Sequence, residues 1–89
     1  MKLKANVRKQ INDRLFDIVK GMQDSIPLTQ ITNLLNEFGL RMEEAIFCGW
    51  EGKANLDIFT NSGEEVDVWL VLNWHKFDTG RYEVVSYIS

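Results

Sequence analysis

Apolar residues recur at spacings of three and four near the start of the chain: Leu3, Val7, Ile11, Leu15, Ile18 and Met22. That is the stripe of an amphipathic helix, and it predicts a helix over residues 3–22. Gly21 and the polar run Gln23-Asp24-Ser25 end it. Lys4 and Arg8 lie within or beside the stripe, so the first two turns are expected to project beyond the body. Phe16 lies well off the stripe, where a one-sided helix would be polar. It packs on a second helix or meets a partner chain.

The second helix opens between Ser25 and Pro27. Proline suits a first helical turn, where its missing N–H costs nothing, although Thr29 is a competing N-cap. Ile31, Leu34, Leu35 and Phe38 form the apolar face. Gly39 stands where a helix commonly closes in left-handed geometry, and Leu40 can fold back on the last turn. The two helices are expected to form an antiparallel hairpin.

From Arg41 the period changes to two. Glu44 to Trp50 and Lys53 to Thr60 read as strands around a Glu51-Gly52 turn. That register pairs Phe47 with Leu56 and Ala45 with Ile58, leaving Ile46, Cys48 and Trp50 on the other face. Asn61-Ser62-Gly63-Glu64 then turns into an apolar run from Val66 to His75. Aligning core faces puts Ile58 beside Val68 and Leu56 beside Leu70.

The last hairpin is the most fully specified part of the chain. Asp78-Thr79-Gly80 has the composition of a three-residue loop closed by a bulge, with glycine in the left-handed position. Phe77 then faces Arg81, and the remaining pairs follow: Trp74 with Val84, Leu72 with Ser86, Leu70 with Ile88. On the other side His75 faces Glu83, Asn73 faces Val85 and Val71 faces Tyr87. A slip of one residue would exchange the two faces. Val66, Val68, Leu70, Leu72, Trp74, Tyr82, Val84 and Ile88 make the even-numbered face the more apolar, and it is assigned to the core.

The expected fold is α+β: two N-terminal helices, as a helical hairpin, packed on a four-stranded antiparallel β-meander. One domain spans residues 1–89, with 1–39 helical and 43–89 forming the sheet. At 89 residues the chain supports one modest core. The alternative packing sets one helix on each face of the sheet.

Composition adds little to this picture, with 45% hydrophobic and 26% charged residues, both ordinary for a globular domain. No apolar run approaches the roughly 20 residues of a membrane span, and residues 1–4 do not resemble a secretory leader. Cys48 is the one cysteine, which excludes an internal disulfide and points to a reducing, cytoplasmic location. Charge is unevenly placed. Residues 1–20 carry six basic and two acidic residues, whereas the rest carries four basic and eleven acidic. A basic first helix on an acidic body bears on partner choice more than on fold.

Candidate chemistry is sparse. His75 opposite Glu83 has the composition of an acid–base pair, but it lies on an open strand face with no nucleophile beside it. One histidine and one cysteine fall short of a zinc site. The surroundings of Cys48 are apolar, unlike those of a reactive thiol. Asp57 and Asp67 fall diagonally on adjacent strands and read as solvated charges. Gly49-Trp50-Glu51-Gly52-Lys53 lacks phosphate-loop spacing. No catalytic, cofactor-binding or metal-binding residue is assigned.

The aromatics point elsewhere. Trp50, Phe59, Trp69, Phe77 and Tyr87, with Val71, are assigned to the odd-numbered face, away from the helices. Such a face suits protein–protein contact, since tryptophan and tyrosine are frequent interface anchors. The leading expectation is a small non-enzymatic interaction or regulatory protein. It self-associates as a homodimer through this face, or docks on a host or regulatory protein. Size and lack of motifs are those of small accessory proteins of phages and mobile elements. The runner-up is a nucleic-acid-binding module that stacks bases on the sheet aromatics and uses Lys2, Lys4, Arg8 and Lys9 of the first helix. Asp57, Asp67 and Glu83 on the aromatic face weigh against it.

Overall fold

The computed structural model describes residues 1–47 and 49–89. The elements run in order α1 (Ala5–Val19), β1 (Met22–Gln23), α2 (Leu28–Glu37), β2 (Leu40–Met42), β3 (Glu51–Thr60), β4 (Glu65–Lys76) and β5 (Tyr82–Ile88). The strands form one curled antiparallel sheet, a half-barrel in the order β1-β5-β4-β3-β2. The α+β class and the two N-terminal helices are as the pattern predicts. Among the described residues the sheet has five strands rather than four.

Both helices pack on the same face. Ile11, Leu15 and Val19 of α1 and Ile31, Leu34 and Leu35 of α2 form one buried cluster with Val66, Val68, Leu70, Leu72, Val84 and Ile88. The even-numbered face of the last hairpin is therefore the core face, and one helix on each face is excluded. Trp74 and Tyr82 complete that face half-buried. Arg14 Nη2 donates to Glu37 Oε2 at 2.6 Å, an exposed tie between the helices.

The first helix is shorter than its stripe. It ends at Val19, and the chain turns at Gly21 so that Met22 and Gln23 pair with Glu83 and Tyr82 of β5. Gln23 Nε2 donates back to the Ile18 and Lys20 carbonyls, two of the acceptors that a helix end leaves unpaired. The expected projection of the first turns is not found. The Met1 nitrogen donates to the Glu65 carbonyl (2.7 Å), Asp67 N–H donates to the Met1 carbonyl (2.9 Å), and Leu3 N–H donates to Asp67 Oδ1 (2.9 Å). Residues 65–67 precede the start of the β4–β5 ladder at Leu70, so their backbone groups on that side are open to this segment.

The second helix keeps Pro27 as the residue before its first turn, not Thr29, and Gly39 closes it at φ +72°. Leu40 folds back into the core but also opens β2, whose Leu40, Arg41 and Met42 pair with Thr60, Phe59 and Ile58. β2 takes the place of the expected strand Glu44–Trp50. Residues 43–47 have no regular secondary structure, and the Cys48 reading lies outside the described residues. The expected pairs of Phe47 with Leu56 and Ala45 with Ile58 are not formed. Glu51 and Gly52 are not a turn either. β3 starts there and runs antiparallel to β4, with Glu51 opposite His75 and Gly52 opposite Trp74.

Leu56 lies opposite Leu70 as expected, but the ladder is interrupted beyond Asp57 and Trp69. The next pair is Phe59 with Glu65, so β4 spends three residues where β3 spends one. Such an irregularity bends a sheet, and both Val66 and Val68 stay buried through it.

The β4–β5 register matches the expectation pair for pair, from Leu70 with Ile88 to His75 with Glu83. Phe77 N–H donates to the Arg81 carbonyl and Gly80 N–H to the Phe77 carbonyl, each at 2.9 Å. Gly80 has φ +86°, where a β-branched residue is strongly disfavoured. Gly80→Val is expected to lower stability by about 1 kcal/mol or more, read as a shift in the urea midpoint. Among the described residues nothing lies within 4 Å of a Cβ at this position, so the loss would report backbone strain. An unchanged midpoint would refute that account.

Candidate interaction surface

Among the described residues, the odd-numbered face of the sheet carries no helix. Alternation along β4 and β5 sets Trp69, Val71, Asn73 and His75 beside Tyr87, Val85 and Glu83 there. Trp69 is 51% exposed and Tyr87 41%, and Val85 is also exposed. Tyr87 pairs with Val71 and so lies diagonal to Trp69, within reach of a large side chain. Met22 of β1 pairs with Glu83 and lies diagonal to Val85. Trp69, Tyr87, Val85 and Met22 thus form one apolar band across three strands.

The band continues around the edge of β5. Phe16 of α1, 67% exposed, lines a groove with Met22, Val85 and Tyr87. Packing of Phe16 on the second helix is not found; its side chain is presented to solvent. Phe16 is four residues beyond Asn12, hence on the same side of the helix, and Asn12 reaches Ile88 of β5.

Four of the expected face residues behave differently. Trp50 is exposed but does not share the odd-numbered face. With Glu51 in the ladder opposite His75, Trp50 falls on the parity of Lys76, to whose backbone N–H its carbonyl is bonded. Lys76 Nζ stands 5.4 Å from the Trp50 ring centre and 5.5 Å from that of Tyr82, a cation shared between two aromatic faces. Reading Glu51-Gly52 as a turn inverts this parity. Val71 has the expected parity but is only 5% exposed. It lies mid-strand, with Asn55 and Tyr87 opposite and Trp69 and Asn73 two residues along. Phe77 is half-buried, its ring edge-on to His75 at 4.8 Å between centroids. Phe59 is half-buried between Arg41 and Glu65 at the interrupted end of the ladder.

The charged candidates are dispersed. His75 pairs with Glu83 in the ladder, but its Nδ1 is 3.8 Å from Glu51 Oε2 on the opposite side. Lys2, Lys4, Arg8 and Lys9 are all exposed. Lys9 donates to Asp13 at 2.8 Å, and that bond, together with the carboxylate's charge, raises its pKa above the ordinary lysine value. Among the described residues, no three His, Cys, Asp or Glu side chains converge as a metal site would require, and no helix is long and apolar enough to cross a membrane.

Sequence reasoning placed Trp69, Val85 and Tyr87 by strand parity. Met22 was missed, because in the helical pattern it reads as the last core residue of the stripe. The signal for Phe16 was present, an aromatic side chain on the polar side of a helix. Comparison with family models, curated proteins and solved structures finds no match to this chain.

Proposed function

We propose that this protein acts by protein–protein contact, associating with a second copy of itself through the odd-numbered face of β4 and β5. The observation that carries the reading is the contiguous exposed band Trp69–Tyr87–Val85–Met22 on a sheet whose other face is already covered. Single exposed apolar residues are ordinary, but a joined patch rich in aromatics is what interfaces use. A two-fold axis through the face would set each band against its own copy, the simplest closed arrangement. Asp57, Asp67 and Glu83 would sit at the rim, where charges are tolerated. The same three carboxylates would repel phosphates, so the aromatic face suits a protein better than a nucleic acid.

Trp69→Glu tests this. The side chain is half in water, so the domain is expected to keep its circular dichroism spectrum and cooperative unfolding. Light scattering should find the unaltered protein dimeric and the variant monomeric. A monomeric unaltered protein, or a variant that still dimerises, refutes the sheet-face dimer.

A further inference from the structure

We infer that the outer edge of β5 is a docking site for an extended peptide segment of another protein, which adds to the sheet as a strand beneath α1. This goes beyond the sheet-face dimer: it concerns the backbone edge of β5, although Met22, Val85 and Tyr87 border both sites. Trp69 and Ser89 exchange N–H···O bonds in both directions at 3.0 Å, and Phe77 N–H donates to the Arg81 carbonyl. Bonded and non-bonded pairs alternate in an antiparallel ladder. Odd-numbered residues of β5 therefore bond to β4, and even-numbered ones direct N–H and C=O outward.

At both ends those outward groups are satisfied. β1 covers the edge opposite Tyr82 and Glu83. At the far end the Asn12 side chain accepts from Ile88 N–H (2.6 Å) and donates to the Ile88 carbonyl (3.2 Å), as a neighbouring strand would. Between them, the N–H and C=O of Ser86 meet no partner among the described residues. The Ser86 side chain itself is on the core face, opposite Leu72, where its buried hydroxyl also has no partner among the described residues. Unpaired polar groups on a strand edge are a template for another strand.

The surroundings fit one extended chain. The edge opens into a groove of about 680 Å³, roofed by Phe16 and Val19 and flanked by Met22, Val85 and Tyr87. The free stretch Val84 to Tyr87 is roughly 13 Å long at strand spacing. Alternate side chains of an incoming strand would fall under Phe16 and Val19 or beside Val85 and Tyr87, so the fitting ligand is uncharged and apolar at its centre. A second copy fits less well. Two β5 strands centred on Ser86 would set each Ile88 against the other's Val84, and Asn12 already holds the Ile88 groups.

The test titrates ¹⁵N-labelled full-length protein with a blocked heptapeptide of alternating valine and serine. A second form of the peptide, N-methylated at every residue, lacks the N–H donors of both edges. Binding should move the Ser86 amide resonance and slow its hydrogen exchange by about tenfold or more. The methylated peptide should do neither. Phe16→Glu, at an exposed position, should weaken binding by about tenfold, a loss of about 1.4 kcal/mol. Trp69→Glu should bind as the unaltered protein does, which separates this site from the sheet-face dimer. No change at Ser86 up to millimolar peptide would overturn the inference, because strand addition draws its affinity from the backbone. Equal effects from the methylated peptide would also overturn it. So would Ser86 protection that rises with protein concentration alone, which would assign the edge to a second copy.

Discussion

Leu15→Ala is expected to cost the domain about 2–5 kcal/mol, the range for truncating a buried leucine. Leu15 is fully buried and belongs to the cluster that joins α1 to α2, β4 and β5. Its neighbours in the cluster are branched residues on regular elements, among them Ile11, Leu34 and Val84, and close-packed interiors relax only partly around a deletion. The adjacent Phe16 supplies the control. Its ring is mostly in water, so Phe16→Ala should stay within about 0.5 kcal/mol of the unaltered protein, as surface substitutions usually do. Urea titration of both variants decides the matter. Equal losses would mean that α1 is rotated on the sheet, and that the groove beneath Phe16 is not formed as described.

That contrast between neighbouring residues was legible in the sequence for a simple reason. Helical period three to four puts Ile11, Leu15 and Ile18 on one stripe and Phe16 off it. Strand parity was equally informative in the last hairpin. Its loop composition fixes how the arms meet, and one correct pair dictates all the others. Trp69 and Tyr87 were assigned to the open face on that basis, and both are exposed there.

The remaining strands show where such reasoning stops. β1 and β2 hold two and three residues, too few for any period to register. They exist because β5 and β3 leave edges that a passing segment can satisfy. The turn at Gly21 brings Met22 to one edge, and the close of α2 at Gly39 brings Leu40 to the other. The Asn12 clamp on Ile88 joins residues 76 positions apart. An asparagine on a helix carries no sign of such a role. Val71 shows the same limit for burial: parity states which face a side chain is on, not how its neighbours lean.

Gly52→Ala is expected to destabilise the domain by about 1–3 kcal/mol, the usual cost of forcing a group into occupied space. In the sequence Gly52 reads as a turn residue, whereas in the fold it is an interior strand position opposite Trp74. A Cβ built there would lie 2.0 Å from Cζ2 of the Trp74 indole and 2.5 Å from Cη2, far inside contact distance. The glycine is needed because the indole lies across its backbone, one of the recognised reasons for glycine within a strand. The ring cannot simply swing away. It meets the Phe47 ring edge-on at 4.8 Å between centroids and packs against the core cluster. Displacing it would also disturb the irregular segment before β3, where Phe47 packs against the indole. A double-mutant cycle separates the clash from any general intolerance of alanine in the strand. Trp74→Leu alone should cost stability through lost packing, but it removes the atoms that the new methyl would strike. In the Trp74→Leu background, Gly52→Ala should then be close to neutral or mildly stabilising, since alanine is less flexible than glycine in the unfolded chain. A coupling of about 1 kcal/mol or more between the two sites, measured by urea denaturation, is the expected result. Additive losses would place the indole elsewhere than over Gly52.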